Sequence, residues 1–505
     1  MRSPRDALTA PAAPAALAGR IADRAPRVVV LGDALLDGWL SGPARRLGRD
    51  GPVPVVEVSE SRTQPGGAGN TAANLAALGA RVDLVAVLGD DPAGVELSAL
   101  LTAAGVGTAH CVTAPGRATA VKRRITSGGQ TLARYDAAPD GAPRPSTTAA
   151  LVGALEVVLA EPADAVVVAD YGLGTGDRRV RAALSRLRAR IPLLVVDAHR
   201  PGAWAVLRPD LLTPSIDEAA ALIAEPEPVG SGRAEWVLAR RHALTRAAGG
   251  GEVRTEVIVT LDEDGAVRLP ADPAEPAQWA SARPGPQARA CGAGDTFSAA
   301  VAAARATGID PQRALGLAQC AADVVVGEAG TAVCTTGALT ARLAERDRGG
   351  LVSHRDLLAI VAEHRRRGSR IVFTNGCFDV LHRGHVAYLR QARALGDLLV
   401  VALNDDGSVA RLKGPERPVN PLEDRAGVVG AIECVDLVTS FAHDTPAELI
   451  EAVRPDVYTK GGDYTPQMLP ETPIVERLGG EVRVLDYLSD HSTTAIVGRI
   501  KAGRP

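Results

Sequence analysis

The sequence predicts an α/β fold made of two successive α/β units. Short runs of β-branched residues, at 27–31, 165–169 and 257–260, alternate with stretches rich in Ala and Leu, such as 71–78 and 180–190. Strands that alternate with helices form largely parallel sheets whose two faces are covered by the helices. The chain has 505 residues, more than one hydrophobic core ordinarily supports, so we expect more than one domain.

The composition argues against several classes of function. The net charge is -3 and aromatic residues make up 3% of the chain, which provides neither attraction to nucleic acid nor stacking platforms for single strands. The six cysteines include no Cys-x-x-Cys pair, and no run of about 18 apolar residues occurs. We therefore expect a cytoplasmic enzyme with no nucleic-acid partner and no membrane span.

Four segments are predicted along the chain. Residues 1–25 are rich in Ala, Pro and Arg and are expected to be a disordered extension. The first α/β unit is expected to span 26–337, and the second 368–505. Between them, residues 338–367 are charged and helical in pattern, so they are predicted to be a helical linker.

The first unit contains a glycine-rich turn, Gly292-Ala293-Gly294, followed directly by Asp295. At the start of a helix, such a turn directs unpaired backbone N–H groups at one point, where they can hold a phosphoryl group during transfer. A carboxylate there can take the proton of an attacking hydroxyl. A simple helix cap would account for the same four residues, so the motif depends on support from the rest of the unit.

That support comes from a second glycine-rich loop ending at Asn70, and from Asp37 after the first strand. With these motifs the unit resembles the PfkB, or ribokinase-like, family of sugar kinases, and the resemblance implies a three-layer α/β fold. It also implies roles for individual residues: sugar binding by Asp37, Gly66, Gly67 and Asn70, an anion hole at Gly292, Ala293 and Gly294, a catalytic base at Asp295, and nucleotide binding by Ser215 and Glu218.

A basic segment of the first unit narrows the resemblance. Lys122, Arg124 and Arg134 lie in a stretch that is similar to heptose 7-phosphate kinases. A sugar that already bears a phosphate needs cationic partners, and these three side chains would supply them. The alternative is the charged face of a β-hairpin or lid.

Several positions of the first unit depart from the family pattern. The departures are Arg289 for Asp, Ser215 for Asn, Asp262 for Gly, Gln319 for Asn and Leu173 for Lys. Because the base and the anion hole are retained, we expect an active kinase. Weak activity, altered substrate choice, or a sugar-binding or dimerising module without activity remain the alternatives.

The second unit carries His382-Arg-Gly-His385 between the strand-like run 370–373 and the helical stretch 386–395. Two imidazoles at a helix start can hydrogen-bond a phosphate as it gains charge. The motif resembles the cytidylyltransferase-like family, which implies a Rossmann-like fold and contacts from both histidines to a nucleoside triphosphate. Mg²⁺ would bridge phosphate oxygens rather than occupy a protein cage. A transition-metal site is the alternative, but no third ligand is evident nearby.

Further motifs of the second unit are similar to those of heptose 1-phosphate adenylyltransferases, which implies ATP as the nucleotide. The nucleotide-binding residues implied by this resemblance are Thr374, Asn375, Gly376, Phe378, Asp405, Lys413, Arg417, Lys460, Gly461, Asp463, Ser492, Thr493 and Thr494. A fusion that uses another sugar phosphate, or another nucleotide such as CTP, is the alternative within enzymes.

The two resemblances fit together, because a kinase acting at C1 of a sugar makes the substrate of an enzyme that adenylylates that phosphate. The whole chain thus resembles the bifunctional heptose enzymes of ADP-heptose biosynthesis. The resemblance implies heptose phosphates and ATP as substrates, Mg²⁺ as cofactor, K⁺ near the kinase site and a homodimer formed through the kinase domain.

Overall fold

The computed structural model describes residues 15–49, 51–228, 232–282, 291–326, 328, 330–346, 351–461 and 465–485. The chain forms two compact units, the first built around residues 20–339 and the second from residue 340 onward. Within the described residues, no helix combines the length and the apolar character needed to cross a membrane.

The first unit is an α/β domain with a small accessory sheet. Its strands are β1 Arg27–Gly32, β2 Ala34–Ser41, β3 Ala44–Leu47, β4 Pro54–Val56, β5 Glu60–Gly67, β6 Arg81–Val85, β7 Val87–Gly89, β8 Val112–Ala114, β9 Val121–Ser127, β10 Gln130–Ala137, β11 Ala165–Asp170, β12 Leu194–Ala198, β13 Leu211–Leu212, β14 Glu256–Thr260, β15 Ala266–Leu269 and β16 Gln278–Ala280. Its helices are α1 Ala16–Arg24, α2 Ala68–Ala77, α3 Pro92–Ala103, α4 Pro145–Val158, α5 Arg178–Leu187, α6 Ile216–Leu222, α7 Arg233–Ala239, α8 Arg241–Ala248, α9 Ala293–Ala306 and α10 Pro311–Val326.

The main sheet of this unit has the strand order β16-β15-β14-β13-β12-β11-β1-β6 among the described residues. It is parallel from β6 to β14, and β15 and β16 continue it as antiparallel strands. Alternate strand residues such as Val29 and Val166 pack against α4, α5 and α8, while α9 packs against α2, α10, β11 and β12. The sheet is therefore covered on both faces, as the continuous apolar strands require.

The accessory sheet has the order β10-β9-β2-β5. Strand β2 pairs antiparallel with β5 and parallel with β9, and β9 pairs antiparallel with β10. β2 directly follows β1, and β5 leads into α2, so this sheet presents Asp37 and the glycine-rich loop beside the carboxyl ends of the main strands.

The second unit contains one parallel sheet with the order β19-β18-β17-β20-β21 among the described residues. Its strands are β17 Ile371–Gly376, β18 Leu398–Asn404, β19 Leu437–Phe441, β20 Val457–Gly461 and β21 Glu481–Leu485, and its helices are α12 His354–Arg366, α13 Arg383–Arg393, α14 Asp406–Lys413, α15 Leu422–Gly430, α16 Ala447–Val453 and α17 Thr472–Arg477. In sequence order the strands stand 3-2-1-4-5, which is a Rossmann-like arrangement with its ligand crevice where the order reverses, above β17 and β20.

The start of the chain differs from the sequence-based expectation. Residues 1–25 were expected to be disordered, but α1 forms over Ala16–Arg24. Ile21 is fully buried, and a Cβ at Gly79 would lie 2.6 Å from the Cα of Ala22. Ile21, the fully buried large apolar residue of α1, anchors this helix through a tertiary contact that composition does not reveal. The expected linker contains α11 (Thr336–Arg346) and α12.

Candidate active sites

The first candidate site lies at the N-terminus of α9. Gly292 is the N-cap residue, with φ of 81°, and no side chain of the described residues caps the helix there. A Cβ at this position would lie 2.7 Å from the Asn70 Nδ2 atom, so both the backbone conformation and the close approach require glycine. The first backbone N–H groups of α9 are therefore available to an anion.

Asp295 lies in the first turn of α9 and is almost fully buried. One carboxylate oxygen accepts a hydrogen bond from the Tyr171 hydroxyl, and the other accepts one from Asn70 Nδ2 at 2.8 Å. Burial is the main cause that raises the pKa of Asp295 to about 6, and the two hydrogen bonds oppose it. A base with a pKa in that range is ionised at neutral pH and still basic enough to accept a proton.

Asp37 marks the other end of the same site. Its carboxylate accepts hydrogen bonds from Arg124 Nη1 at 3.0 Å and from Thr331 Oγ1 at 3.2 Å. A Cβ at Gly66 would lie 2.4 Å from Asp37 Oδ2, and Gly67 has φ of +58° with its Cβ position 2.6 Å from the Asp33 carbonyl oxygen. The two glycines thus let the loop pass close beside Asp37.

A cavity of about 260 Å³ connects Asp37 with the start of α9. The predicted site residues that line it are Asp37, Gly67, Lys122, Arg124, Ser215, Glu218, Gly292, Gly294 and Asp295. Of the other predicted residues, Asn70 bonds Asp295, Gly66 abuts Asp37, and Ala293 lines a neighbouring cavity. Arg134 is the cross-strand partner of Arg124 in β10, but its side chain is half exposed and pairs with Asp136 at 2.9 Å. The structure therefore does not bring Arg134 into the cavity.

Sequence reasoning missed three side chains at this site. Tyr171 and Asp197 line the cavity, and buried Asp33 accepts the backbone N–H groups of Tyr171, Leu173 and Thr175 at 2.9–3.0 Å. Burial, followed by the nearby Asp295 and Glu218 carboxylates, raises the pKa of Asp197 well above its usual range. The position of Asp197 and Tyr171 in the sequence could have identified them, because they stand at the carboxyl ends of the predicted strands β12 and β11, where α/β sheets bind ligands.

A second cavity, of about 530 Å³, adjoins the first. Ser215, Thr260 and Gly294 line both cavities, so the two meet at the start of α9. The Glu218 carboxylate accepts the Ser215 backbone N–H at 2.9 Å and fixes this edge as a capping box. Three of the departures, Ser215, Asp262 and Gln319, line the second cavity. Its size and its opening toward the anion hole suit a nucleoside whose phosphates point at Gly294.

The second candidate site lies where β17 leads through a short loop into α13. His382 is the N-cap residue, and its Nδ1 accepts the Gly384 backbone N–H at 3.2 Å. The His382 backbone N–H donates in turn to His385 Nδ1 at 3.3 Å. Because both Nδ1 atoms accept, each neutral ring carries its proton on Nε2, where it can be donated to a phosphate oxygen. Burial, with smaller effects from His382 and Lys413, lowers the pKa of His385 to about 4.

A buried polar cluster adjoins this loop. Asn375 Oδ1 accepts hydrogen bonds from the Tyr458 hydroxyl at 2.7 Å and from Lys460 Nζ at 3.0 Å. Burial lowers the pKa of Lys460, and the Glu471 carboxylate opposes this shift. Gly461 follows in β20, and a Cβ there would lie 3.0 Å from the Tyr388 ring. The cluster places a cation at the carboxyl ends of β17 and β20, where the Rossmann-like crevice lies.

Asp379, in the segment between β17 and α13, holds the loop 417–420 in place. Its buried carboxylate pairs with Arg417 and accepts the Val419 backbone N–H at 2.6 Å. Arg425 is fully buried and donates to the carbonyl oxygens of Cys377, Asn404 and Asn420 at 2.6–3.0 Å. Neither residue is among the predicted nucleotide-binding residues, and together they hold the site loops in place.

The remaining predicted nucleotide-binding residues fall into three groups. Thr374 and Asp405 bond within the protein, since Thr374 hydrogen-bonds Tyr388 and Asp405 caps α14 through the Ser408 N–H at 2.7 Å. Gly376 ends β17 and Phe378 lies in the loop that follows it, while Lys413 ends α14 and is exposed. Asp463, Ser492, Thr493 and Thr494, like Arg289, lie outside the described residues.

Two family models match the chain in the same order as the two units. The model for pfkB family carbohydrate kinases matches residues 25–337, and the cytidylyltransferase-like model matches residues 373–498. The first match covers the α9 site, and the second covers the His382 and His385 site.

Relatives of known name match along nearly the whole chain. The bifunctional protein HldE of Azorhizobium caulinodans is 40% identical over 490 residues, which cover 94% of this chain and 98% of the relative. The bifunctional protein HldE of Pseudomonas aeruginosa (strain LESB58) is 41% identical over 488 residues, covering 95% and 98%. Among solved structures, phosphofructokinase-2 of Escherichia coli matches 64% of this chain and all of its own length, with a TM-score of 0.52 and 18% identity, and so shares the fold.

Proposed function

This chain belongs to the family of bifunctional HldE proteins, and from that premise we propose that it activates a heptose phosphate in two steps. It is a transferase that combines a carbohydrate kinase with a nucleotidyltransferase. In the first step ATP phosphorylates D-glycero-β-D-manno-heptose 7-phosphate at O1. In the second, heptose 1-phosphate and ATP give ADP-heptose and pyrophosphate. A separate phosphatase would have to remove the 7-phosphate between the steps.

In the kinase step, Asp295 would accept the proton of the sugar O1 hydroxyl. O1 then attacks the γ-phosphorus, the bond to the β–γ bridging oxygen breaks, and ADP leaves. The backbone N–H groups at the start of α9 would hold the γ-phosphoryl oxygens as their charge redistributes. Asp37 would bind sugar hydroxyls, while Lys122 and Arg124 lie on the same cavity wall and would face the 7-phosphate.

In the adenylyl step, a phosphate oxygen of heptose 1-phosphate attacks the α-phosphorus of ATP and pyrophosphate leaves. No protein nucleophile is needed, so the protein contributes alignment and charge stabilisation. The Nε2–H groups of His382 and His385 would donate to the triphosphate. Lys460, whose Nζ donates to Asn375 Oδ1 at 3.0 Å, would stabilise the negative charge that develops on the phosphate oxygens in the transition state.

Mg²⁺ fits both steps as an ion carried mainly by the substrates. Among the described residues, no group of three His, Cys, Asp or Glu side chains is arranged to hold a metal. Glu218, which lines the kinase cavity, nevertheless carries carboxylate oxygens, the ligand type that Mg²⁺ prefers when phosphate and water supply its other ligands. The ion would neutralise phosphate charge during transfer.

The observation that carries this proposal is the pairing of two chemistries in one chain: a buried base at an anion hole in the first unit and two Nε2–H imidazoles at a helix start in the second. Direct assay tests it. Purified protein with ATP, Mg²⁺ and heptose 7-phosphate should give a 1,7-bisphosphate, and with heptose 1-phosphate should give ADP-heptose, each identified by mass spectrometry. Parallel reactions with CTP, GTP and UTP test the choice of nucleotide.

A weaker kinase is the second candidate function, because Ser215, Asp262 and Gln319, which line the two cavities, depart from the family pattern. The chain would then be an adenylyltransferase whose first unit binds sugar or mediates dimerisation. Adenylylation of supplied heptose 1-phosphate without any bisphosphate at high enzyme concentration would favour this second function over the first.

Three finer features belong to the same proposal. A homodimer would form through the accessory sheet, whose neighbourhood exposes the apolar side chains of Leu47, Val53 and Leu132. K⁺ would bind near the kinase cavity, and the protein would act in the cytoplasm, where ATP and sugar phosphates are available. Light scattering, and kinase assays with K⁺ replaced by tetramethylammonium, test the first two.

A further inference from the structure

We propose that Tyr171 is a positioning residue for the general base, because its hydroxyl holds the Asp295 carboxylate ionised and correctly oriented for the sugar hydroxyl. This inference rests on the proposed kinase function and extends it to a residue that no motif identified. The Tyr171 side chain lines the cavity that contains Asp295.

The geometry at Asp295 supports an orienting role. Tyr171 donates to Oδ1 and Asn70 donates to Oδ2, so each carboxylate oxygen has one fixed donor and the plane of the group is set. A carboxylate offers about four acceptor positions, which leaves positions on the cavity side for the sugar hydroxyl. Without the phenol, the carboxylate would be held from the Asn70 side alone and could rotate.

Tyr171 is itself held in place. Its backbone N–H donates to Asp33 Oδ2 at 3.0 Å, and its ring makes an edge contact with the His199 ring at 5.1 Å between centroids. The Lys122 ammonium lies 5.9 Å from the Tyr171 ring centroid. A fixed backbone and a packed ring give the hydroxyl a defined position, as a residue that orients a catalytic group requires.

The Tyr171 hydroxyl opposes the effects that favour protonation of Asp295. The titratable and charged groups that line the cavity with Asp295 are Asp37 from β2, Lys122 and Arg124 from β9, Tyr171 after β11, Asp197 from β12, His199 after β12, Glu218 from α6 and Cys291 before α9. Burial, followed by the Asp37 carboxylate, favours the protonated form of Asp295, while Tyr171, Asn70 and Lys122 favour the ionised form. Of the stabilising groups, Tyr171 makes the largest contribution. Removing its hydroxyl should therefore leave the base protonated at higher pH.

The test compares Tyr171→Phe with the wild-type protein from pH 5 to 8.5. The measured quantity is the ratio of variant to wild-type kcat/KM for heptose 7-phosphate, because ionisation of the substrate cancels in this ratio. We expect the ratio to fall roughly tenfold between pH 8 and pH 5.5, as an upward shift of about one unit in the Asp295 titration would produce. Tyr135→Phe, which removes an exposed hydroxyl from β10, is the matched control and should give a constant ratio near one.

A second variant keeps the size and shape of the ring. Site-specific 3-fluorotyrosine at position 171 is a stronger donor, so the acid limb should move to lower pH, opposite to the change in Tyr171→Phe. The adenylylation activity of the same preparations reports whether the second unit of each variant is folded and active.

The outcomes separate the two hypotheses. A pH-independent ratio for Tyr171→Phe, together with an unmoved limb for the fluorinated protein, would overturn the role of Tyr171 while leaving the kinase function intact. A wild-type protein that adenylylates heptose 1-phosphate but forms no bisphosphate would overturn the kinase function itself.

Discussion

The imidazoles of His382 and His385 lie 4.0 Å apart between ring centroids, and the His382 backbone N–H donates to His385 Nδ1 at 3.3 Å. Two imidazoles this close cannot both take a proton cheaply, and burial adds to the cost for His385, whose ring therefore stays neutral at neutral pH. Neutral rings with Nε2–H groups are hydrogen-bond donors of fixed direction, which suits them to a triphosphate that brings its own Mg²⁺.

The first prediction concerns this protonation state. Burial and the neighbouring His382 lower the pKa of His385 to about 4, so its ring should stay neutral from pH 8 down to about pH 5. NMR titration of protein labelled with ¹³C at histidine Cε1 measures this directly, with His385→Gln to assign the signal. A His385 midpoint near the ordinary value of about 6.5 would contradict the packing argument.

The same shift has a consequence for stability. Because the folded-state pKa lies below the unfolded one, the unfolded state binds more protons between about pH 6.5 and 4. The contribution of His385 is therefore fully present above pH 6.5 and is lost as the pH falls through that window.

The second prediction concerns Asp262, which has φ of 51° although it is not a glycine. Asp262→Gly should raise the unfolding free energy by roughly 0.5–1 kcal/mol, since relief of left-handed backbone exceeds the entropy cost of a new glycine. Its ion pair with Arg233, at 3.5 Å with Asp262 largely exposed, should contribute little. Denaturant unfolding measures the change, and Asp264→Gly, outside the left-handed region, should destabilise instead.

The third prediction concerns Lys460. Lys460→Met should reduce adenylylation by about two to three orders of magnitude, because it removes a desolvated cation aimed at developing charge. Tyr458→Phe, which removes the hydroxyl that donates to Asn375 but keeps the charge of Lys460, should cost no more than about tenfold. Equal losses in the two variants would mean that the cluster acts through structure rather than through the charge of Lys460.

The fourth prediction separates a buried arginine from an exposed one. Arg425→Ala leaves the carbonyl oxygens of Cys377 and Asn404 without their donor, and should destabilise the second unit by about 3–5 kcal/mol. Arg411→Ala, which breaks an exposed pair with Asp444 at 2.9 Å, should cost less than about 1 kcal/mol. Denaturant unfolding, monitored through the loss of adenylylation activity, measures the two destabilisations. Comparable values would contradict the burial of Arg425.

The sequence predicted those parts of the sites that local patterns encode. The glycine turn before Asp295 and the two histidines three residues apart are contiguous, and their chemistry follows from their spacing and from the helix that begins at each one. The fold class followed from the alternation of apolar strands and helices, and the family matches and the ribokinase-like neighbour confirm it.

The parts that the sequence did not predict depend on contacts between distant segments. Tyr171 meets Asp295 across 124 positions, and Asp379 meets Val419 across 40, so no local pattern connects them. Arg134 illustrates the converse, because its charge suggested a ligand, whereas the β-hairpin turns its side chain to Asp136. Ile21 shows the same dependence on tertiary structure, since its burial organises a segment whose composition indicated disorder.

The central claim is that one chain carries two independent transfer sites with different chemistries. Mass spectrometry of products from Asp295→Asn and His385→Ala, each supplied separately with heptose 7-phosphate and heptose 1-phosphate, tests it most directly. Asp295→Asn should form no bisphosphate but keep wild-type adenylylation, and His385→Ala should keep phosphorylation and lose adenylylation by about 10²–10³-fold. Loss of both activities in either variant, or loss of neither, would contradict the claim.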